Sequence, residues 1–162
     1  MLIGISGHQR LVEDSWWDWV RSEIESIIDR EEKPIMGISS LAIGADQLFA
    51  RLVLEMGGTL YAVLPFQGYE RTFQTADALK QYRELLQRAT SIETLSSGQA
   101  DDEERFLAAG RRVVDLCQKL IVVWNAEPAK GLGGTADVVA YALTTGRPII
   151  HINPATHGVT DL

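Results

Sequence analysis

Short apolar runs alternate along this chain with longer segments in which apolar residues recur every three or four positions. Short apolar runs bounded by Gly, Pro or polar clusters are typical of buried strands. The predicted strands are Leu2–Ser6, Ile35–Ser39, Thr59–Leu64, Ser91–Leu95, Lys119–Trp124 and Pro148–Ile152.

The longer segments between these runs have the spacing of helices that bury one face. The first runs from about Ser15 to Glu31, and Ser15 with Asp18 forms a predicted capping pair at its start. Gly146 ends the last helix, because glycine accepts the left-handed backbone that stops a helix. The remaining predicted helices are Ala45–Met56, Thr75–Arg88, Asp102–Cys117 and Thr135–Thr145.

Strands with so little polar alternation are buried on both faces, and their alternation with helices indicates a parallel sheet covered by helices on each side. Right-handed crossovers then favour a doubly wound, Rossmann-like three-layer α/β sandwich. The chain has 162 residues and shows no linker or repeat, so residues 1–162 are predicted to form a single domain.

Composition restricts the function further. Apolar residues make up 46% and charged residues 23% of the chain, which is typical of a globular protein. The net charge of −7 predicts no nucleic-acid partner, because sequence-independent binders need a basic face. The single Cys117 fits a reducing compartment. Neither a signal peptide nor a membrane span is visible, so a cytoplasmic protein without a membrane partner is expected.

The segment Lys130–Asp137, with the sequence KGLGGTAD, joins the fifth predicted strand to the last helix. Its glycines let backbone N–H groups turn inward, and Thr135 is placed to cap the helix. Such a junction binds anions, most often phosphate. Gly133, Gly134 and Thr135 are therefore predicted phosphate ligands.

Two earlier strand ends carry similar chemistry, and ligands of such sheets bind beyond the carboxyl ends of the strands. The first junction offers Gly7 for a tight turn, with His8 and Arg10 as anion donors; His8 could instead bond only to its own loop. The second junction, after the strand Ile35–Ser39, contains two serine hydroxyls, a glycine and an aspartate at the start of the next helix. Its candidate ligand-binding residues are Ser39, Ser40, Gly44 and Asp46.

Three other positions keep two interpretations open. Phe66 and Trp124 could stack on a base or simply pack in the core. Asp137, like Asp46, could contact a sugar or only complement the helix dipole. No metal site is predicted, since HExxH and CxxC motifs are absent and the histidines are scattered; no nucleophile elbow or P-loop ending is present either.

Taken in order, the sequences GISGHQR, SSLAIGAD and GGTADVVAYA resemble the SLOG superfamily. That group includes the molybdenum-cofactor carrier and YpsA-like proteins and the Lonely-guy phosphoribohydrolases. The resemblance implies a sheet of about six strands in the order 3-2-1-4-5-6. It also implies a nucleotide or nucleotide derivative over the glycine turns, and a homodimer or larger homo-oligomer.

The chain departs from the Lonely-guy pattern at the catalytic glutamate, where Val138 stands and Asp137 lies one residue early. The family's arginine has only a loose counterpart in Arg105, Arg111 or Arg112. Of these, Arg111 is expected to neutralise the phosphate together with His8. We therefore expect a binder of a nucleotide-like ligand, with no cofactor identified. The alternatives are an N-glycosidic phosphoribohydrolase, with Asp137 or Asp46 as catalytic residue, and an oligomeric interaction protein with a vestigial pocket.

Overall fold

The computed structural model describes residues 1–96, 101–128 and 134–162. Within these residues seven strands form one sheet in the order β4-β3-β2-β1-β5-β6-β7. The first six strands are parallel, and β7 is antiparallel to β6. The strands are β1 Leu2–Gly7, β2 Met36–Ser39, β3 Thr59–Leu64, β4 Ser91–Thr94, β5 Lys119–Val123, β6 Ile149–Asn153 and β7 Gly158–Asp161.

Helices cover both faces of this sheet. In the described part of the chain they are α1 Trp16–Arg30, α2 Ala45–Glu55, α3 Ala76–Arg88, α4 Asp102–Leu116 and α5 Thr135–Thr144, with a short 3₁₀ turn at Tyr69–Thr72. Helices α1, α2 and α3 form one layer, and α4 packs with α5 on the other face. None of the described helices is long and apolar enough to cross a bilayer.

The two central strands are buried on both sides, which explains their continuous apolar sequences. Ile3 and Ile5 of β1 pack with α1 and α2, whereas Leu120 and Val122 of β5 face α4 and α5. All four side chains are buried. The predicted α/β class, a Rossmann-like three-layer sandwich around a mostly parallel sheet, is confirmed.

The strand order differs from the expected one in the position of β4. The expected order places this strand between β1 and β5, whereas it pairs with β3 at the edge of the sheet. Its sequence explains the difference: β4 reads Ser-Ile-Glu-Thr, and Ile92 is 52% exposed. A strand this polar is suited to an edge, while the apolar β5 is suited to the position beside β1.

Local details at the chain's helix starts also differ from expectation. Ser15 has a helical backbone and makes no side-chain cap bond, so the predicted pair with Asp18 does not form. Thr75 and Asp101 do cap α3 and α4, accepting hydrogen bonds from backbone N–H groups in the first turn. Strand β7 was not predicted, because its short and largely exposed sequence lacks an apolar run.

Candidate functional site

The order in which the strands are added to the sheet changes direction between β1 and β5. Strands β2 to β4 lie on one side of β1, and β5 to β7 lie on the other. In open parallel sheets ligands bind in the crevice at such a switch point, outside the carboxyl ends of the strands. Gly7 at the end of β1 pairs with Val123 at the end of β5, so the loops after these two residues line the crevice.

His8 and Asn125 connect these two loops. The backbone N–H of His8 donates to the carbonyl of Val123 at 3.0 Å. The ring Nε2 of His8 lies 3.0 Å from Asn125 Oδ1 and 3.1 Å from the backbone nitrogen of Asn125. Asn125 Oδ1 also accepts from the N–H of Glu127, so the tautomer of His8 selects which contact with Asn125 is a hydrogen bond. The half-buried His8 is therefore held at the mouth of the crevice.

Asn125 had no role in the sequence-based prediction. Its position in the sequence could have indicated a role in the site. Asn125 follows the buried central strand β5 by two residues and therefore lies at the carboxyl edge of the sheet. Nothing in the sequence showed that its amide would meet His8, which is 117 residues away along the chain.

Trp124 begins the connection from β5 to α5. Its indole Nε1–H donates to the carbonyl of Glu127 at 2.9 Å, and its own carbonyl lies 2.7 Å from His151 Nε2. The ring is half-buried and lies beside the ring of His151, with 5.5 Å between centroids. These contacts fix the indole at the crevice, and its stacking on a base stays a prediction.

Only part of the predicted phosphate turn belongs to the described residues. Lys130, Gly131 and Gly133 lie outside them, while Gly134 and Thr135 lie inside. Gly134 is the residue that precedes α5, with φ −73° and ψ 170° and no side-chain cap bond, and Thr135 is the first helical residue. Thr135 is thus not the capping residue that the sequence suggested.

The first turn of α5 faces the same crevice. No described residue accepts a hydrogen bond from the backbone N–H of Thr135 or Ala136, whereas that of Asp137 donates to Gly134 at 3.1 Å. Asp137 is half-buried, and Val138 is 3% exposed among the apolar residues between α4 and α5. The side chains of these neighbours therefore point in different directions, as about 100° per helical residue requires.

The β2–α2 junction is stabilised from within by Asp46, which is 6% exposed. Ser39 Oγ lies 3.2 Å from Asp46 Oδ2 and donates to it, and the N–H of Ser40 donates to the same oxygen at 3.1 Å. Ser39 Oγ in turn accepts from the N–H of Leu41 at 3.0 Å. The polar groups of Ser39 and Asp46 thus hold the loop, and neither side chain is placed to reach a ligand in the crevice.

Burial also changes the acidity of this carboxyl group. Loss of solvation raises the pKa of Asp46 from 3.8 to about 7, although the hydrogen bonds from Ser39, Ser40 and Ala42 act in the opposite direction. Asp46 therefore changes charge near neutral pH inside the protein.

The amino terminus of α2 is covered by the β1–α1 loop. The N–H of Ala45 donates to the carbonyl of His8 at 3.1 Å. Gly44 has φ +84°, and a Cβ atom on it would lie 2.5 Å from the carbonyl oxygens of His8 and Gln9. At Gly7 a Cβ atom would lie 2.7 Å from that of Ala45. Gly7 and Gly44 therefore permit close packing of this loop on α2, and the helix end has no room for phosphate.

The remaining predicted ligands lie away from the crevice. Arg10 lines a separate groove of about 410 Å³ between the β1–α1 loop and helices α2 and α3. Arg111 is exposed on α4, where its guanidinium lies 5.2 Å from the centre of the Tyr141 ring. Phe66 is 4% exposed, with the guanidinium groups of Arg71 and Arg105 at 4.7 and 5.2 Å from its ring centre. Phe66 therefore has no ring face open to a base.

No protein-family model matches the chain, and no curated protein matches it significantly. Solved structures do share its fold. DNA processing protein A from Streptococcus pneumoniae superimposes with a TM-score of 0.66 at 18% identity over 92% of this chain and 49% of that one. The corresponding protein from Helicobacter pylori gives 0.67 at 14% identity, over 93% of this chain and 64% of that one.

The molybdenum cofactor carrier protein from Chlamydomonas reinhardtii gives a TM-score of 0.52 at 18% identity, over 93% of this chain and 74% of that one. These neighbours have SLOG-type folds, and what this chain shares with them is the fold. The chain spans less than two thirds of either DNA processing protein.

The prediction that nucleic acid is excluded as a partner is wrong. DNA processing protein A from H. pylori binds single-stranded DNA and has the fold of this chain. A net charge of −7 describes the whole surface and says nothing about one crevice, so it is no ground for the exclusion.

We expect Gly44→Ala to destabilise the protein by about 2 kcal/mol more than Gly57→Ala. Both glycines have positive φ, at +84° and +81°, so both substitutions carry a backbone strain cost of at least about 1 kcal/mol. Only at Gly44 does the new Cβ also meet His8 and Gln9, since Gly57 has no atom within 4 Å. Urea unfolding of the two variants measures the difference; equal losses would show that the loop does not press on α2.

Asp46 should make stability depend on pH. Between pH 3.8 and about 7 the folded protein keeps a proton that the unfolded chain has lost, so the free energy of unfolding falls as pH rises through this window. Asp46→Asn cannot titrate, and its stability relative to the natural protein should rise across the window by up to about 4 kcal/mol. Urea unfolding at a series of pH values tests this, and parallel curves for the two proteins would contradict it.

Proposed function

We propose that this protein binds a nucleotide or nucleotide-derived small molecule, with its phosphate at the amino terminus of α5 and the rest of the molecule in the crevice between β1 and β5. The observation that carries the proposal is the contrast between the two helix starts beside that crevice. At α2 the N–H of Ala45 is bonded to His8, whereas at α5 no described residue accepts from Thr135 or Ala136.

A helix start of this kind favours an anion for two reasons. The N–H groups of the first turn are donors without intrahelical acceptors, and the aligned peptide dipoles place partial positive charge there. Gly134 contributes no side chain that would cover the donors. The sequence also predicts Gly133, which lies outside the described residues, as a phosphate ligand.

His8, Asn125 and Trp124 give the crevice the means to hold the remainder of a nucleotide. When Nε2 of His8 carries the proton, rotation of the Asn125 amide towards a ligand would release it to donate to an acceptor on that ligand. In the other tautomer Nε2 keeps its hydrogen bond from the backbone N–H of Asn125. The indole of Trp124, half-buried and fixed by its bond to Glu127, offers a planar apolar surface for a base. In this arrangement Asp137, in the first turn of α5, would contact the sugar hydroxyls.

The DNA processing protein and the molybdenum cofactor carrier show that related folds take ligands of different sizes. Nucleotides and single-stranded DNA both carry a phosphate close to a planar base, and the proposed site would bind these two groups. Which of the two this chain takes is decided by the length of ligand that the crevice accepts, and the binding experiment below includes both.

Gly134→Asp should weaken binding of nucleoside monophosphates at least about tenfold while leaving the fold slightly more stable. The backbone at Gly134 is extended, so any residue fits, and aspartate is among the preferred capping residues. Its carboxylate would accept hydrogen bonds from the N–H groups of the first turn of α5 and would repel phosphate. Thermal shift and calorimetry with nucleoside monophosphates measure the loss, since a ligand at one hundred times its Kd adds about 2.7 kcal/mol of stability.

Gly134→Asn is the matched control, because it fills the same space without the charge and should retain more affinity than Gly134→Asp. Nucleosides without phosphate should bind weakly to all three proteins, and short single-stranded DNA is the second ligand class in the panel. Equal binding of phosphate by the natural protein and Gly134→Asp would place the anion elsewhere. Binding of oligonucleotides alone would assign the crevice to single strands.

The enzymatic alternative, hydrolysis of an N-glycosidic bond in a nucleoside monophosphate, depends on Asp137. Asp46 is engaged with Ser39 and Ser40 inside the loop, and Val138 is buried in the core, so neither can act on a sugar in the crevice. Asp137 remains the carboxylate of the α5 start that could stabilise a developing sugar cation. Val138 stands where the Lonely-guy pattern has its catalytic glutamate, and this favours a binding protein over a hydrolase.

Asp137→Asn separates these two functions. A hydrolase should lose at least about a hundredfold in turnover with most ground-state affinity retained, because the charge acts mainly in the transition state. A binder has no turnover, and its affinity should fall by about tenfold for one charged hydrogen bond. Chromatography for free base after incubation with nucleoside monophosphates gives the answer, and base release that Asp137→Asn abolishes would establish the enzyme.

A further inference from the structure

A groove of about 410 Å³ lies between the β1–α1 loop, the start of α1 and helices α2 and α3. The β1–α1 loop separates this groove from the crevice, because His8 meets Asn125 in the crevice whereas Arg10, two residues later, lines the groove. The same loop packs on Gly44 so closely that a Cβ atom would not fit between them. The walls of the groove include Arg10, Leu11, Asp14, Trp17, Gln47 and Asp77.

The groove contains one cation and two carboxylates that do not pair with one another. Arg10 forms no ion pair and no side-chain hydrogen bond with any described residue, and neither Asp14 nor Asp77 forms an ion pair within the same part of the chain. Asp77 accepts one hydrogen bond, from Nε2 of Gln81 at 2.7 Å. Opposite charges that line one groove without pairing are complementary to a ligand that carries both charges.

Gln47 supplies a neutral acceptor to this groove. The residue is 4% exposed, and its Nε2 donates to the carbonyl of Leu41 at 3.1 Å. Because a carbonyl only accepts, this bond fixes which end of the amide faces Leu41. No described residue donates to Oε1, and this oxygen keeps contact with solvent. Oε1 is therefore an acceptor in the groove wall for an N–H group of a ligand.

Apolar side chains line the groove beside these polar groups. Leu11 and Trp17 are half-buried, and both pack on the core cluster that α1 shares with α2. Their positions are therefore fixed by the core, and the part of each side chain that lines the groove offers an apolar surface to a ligand.

We propose that this groove is a second small-molecule site and that its ligand is a free α-amino acid with an apolar side chain. The guanidinium of Arg10 binds the carboxylate, and the ammonium group donates to Asp14 and to Oε1 of Gln47. The side chain of the ligand lies against Leu11 and Trp17. A volume of about 410 Å³ suits a small ligand, since ligand pockets commonly measure about 300–1,000 Å³.

The charges of the groove select a zwitterion over simpler ligands. An anion would be repelled by Asp14 and Asp77, and a simple cation would leave Arg10 without a partner. The site is separate from the proposed nucleotide site, so its occupant is tested without nucleotide.

Calorimetry with leucine, phenylalanine and tryptophan tests the site, and at least one of them should bind the natural protein at millimolar concentration or below. The amino acid that binds most tightly is then compared with its amine and with its carboxylic acid, each of which lacks one of the two charges. Both analogues should bind at least about tenfold more weakly, because each leaves a charged group of the groove unpaired.

Two variants assign the charges. Arg10→Gln should weaken binding of the amino acid at least about tenfold and bind its amine equally well, since the carboxylate has lost its partner. Asp14→Asn should weaken binding similarly and reduce the preference over the carboxylic acid. The matched controls are Arg88→Gln and Glu13→Gln, which make the same charge changes at exposed positions outside the groove and should bind like the natural protein.

Circular dichroism confirms that each variant is folded. Gly134→Asp, which alters only the proposed nucleotide site, should bind the amino acid like the natural protein, so failure of one site is distinguished from failure of the other. The proposal is overturned if none of the three amino acids binds, or if Arg10→Gln and Asp14→Asn retain the natural affinity. Displacement of the amino acid by a nucleoside monophosphate would also overturn it, because Arg10 would then belong to the crevice.

Discussion

The parallel pairing of β1 with β5 is the constraint on which the candidate site depends. It aligns Gly7 with Val123 at the carboxyl edge and so brings the two following loops together. His8 bonds to Val123 through its backbone and meets Asn125 through its ring. If another strand lay between β1 and β5, these loops would be separated by an additional strand spacing of about 4.8 Å and the crevice would have a different composition.

Close packing around Gly7 explains why one of the two helix starts at this edge is closed. Because Gly7 and Gly44 have no side chains, the β1–α1 loop lies directly on α2, and the His8 carbonyl takes the N–H of Ala45. The α5 start has no such cover among the described residues. The start of α2 therefore holds the β1–α1 loop to the helix layer, whereas the start of α5 presents N–H donors at the crevice.

Buried charge at the β2–α2 junction shows how a polar sequence pattern can serve structure. Moving a carboxyl group out of water is costly unless hydrogen bonds replace its hydration. Ser39 and Ser40 supply such bonds to Asp46, and the remaining cost appears as the raised pKa of this group. Ser39 and Asp46, which are candidate ligand contacts in the sequence, thus bond to each other inside this loop, and burial raises the pKa of Asp46 to about 7.

The sequence by itself determined the class of the fold, because apolar runs such as Lys119–Val123 are stable only between two helix layers. It also marked the strand ends and the glycine turn as the places for chemistry. The position of β4 could have been predicted from its polar residues, since Ser91, Glu93 and Thr94 suit an edge. Tertiary structure alone decided which junctions meet, that Asp46 faces inward, and that Phe66 is covered by Arg71 and Arg105. The reason is physical: local spacing fixes the face of a helix or strand, whereas contacts between residues such as His8 and Asn125, 117 positions apart, arise only when the strands between them have taken their places.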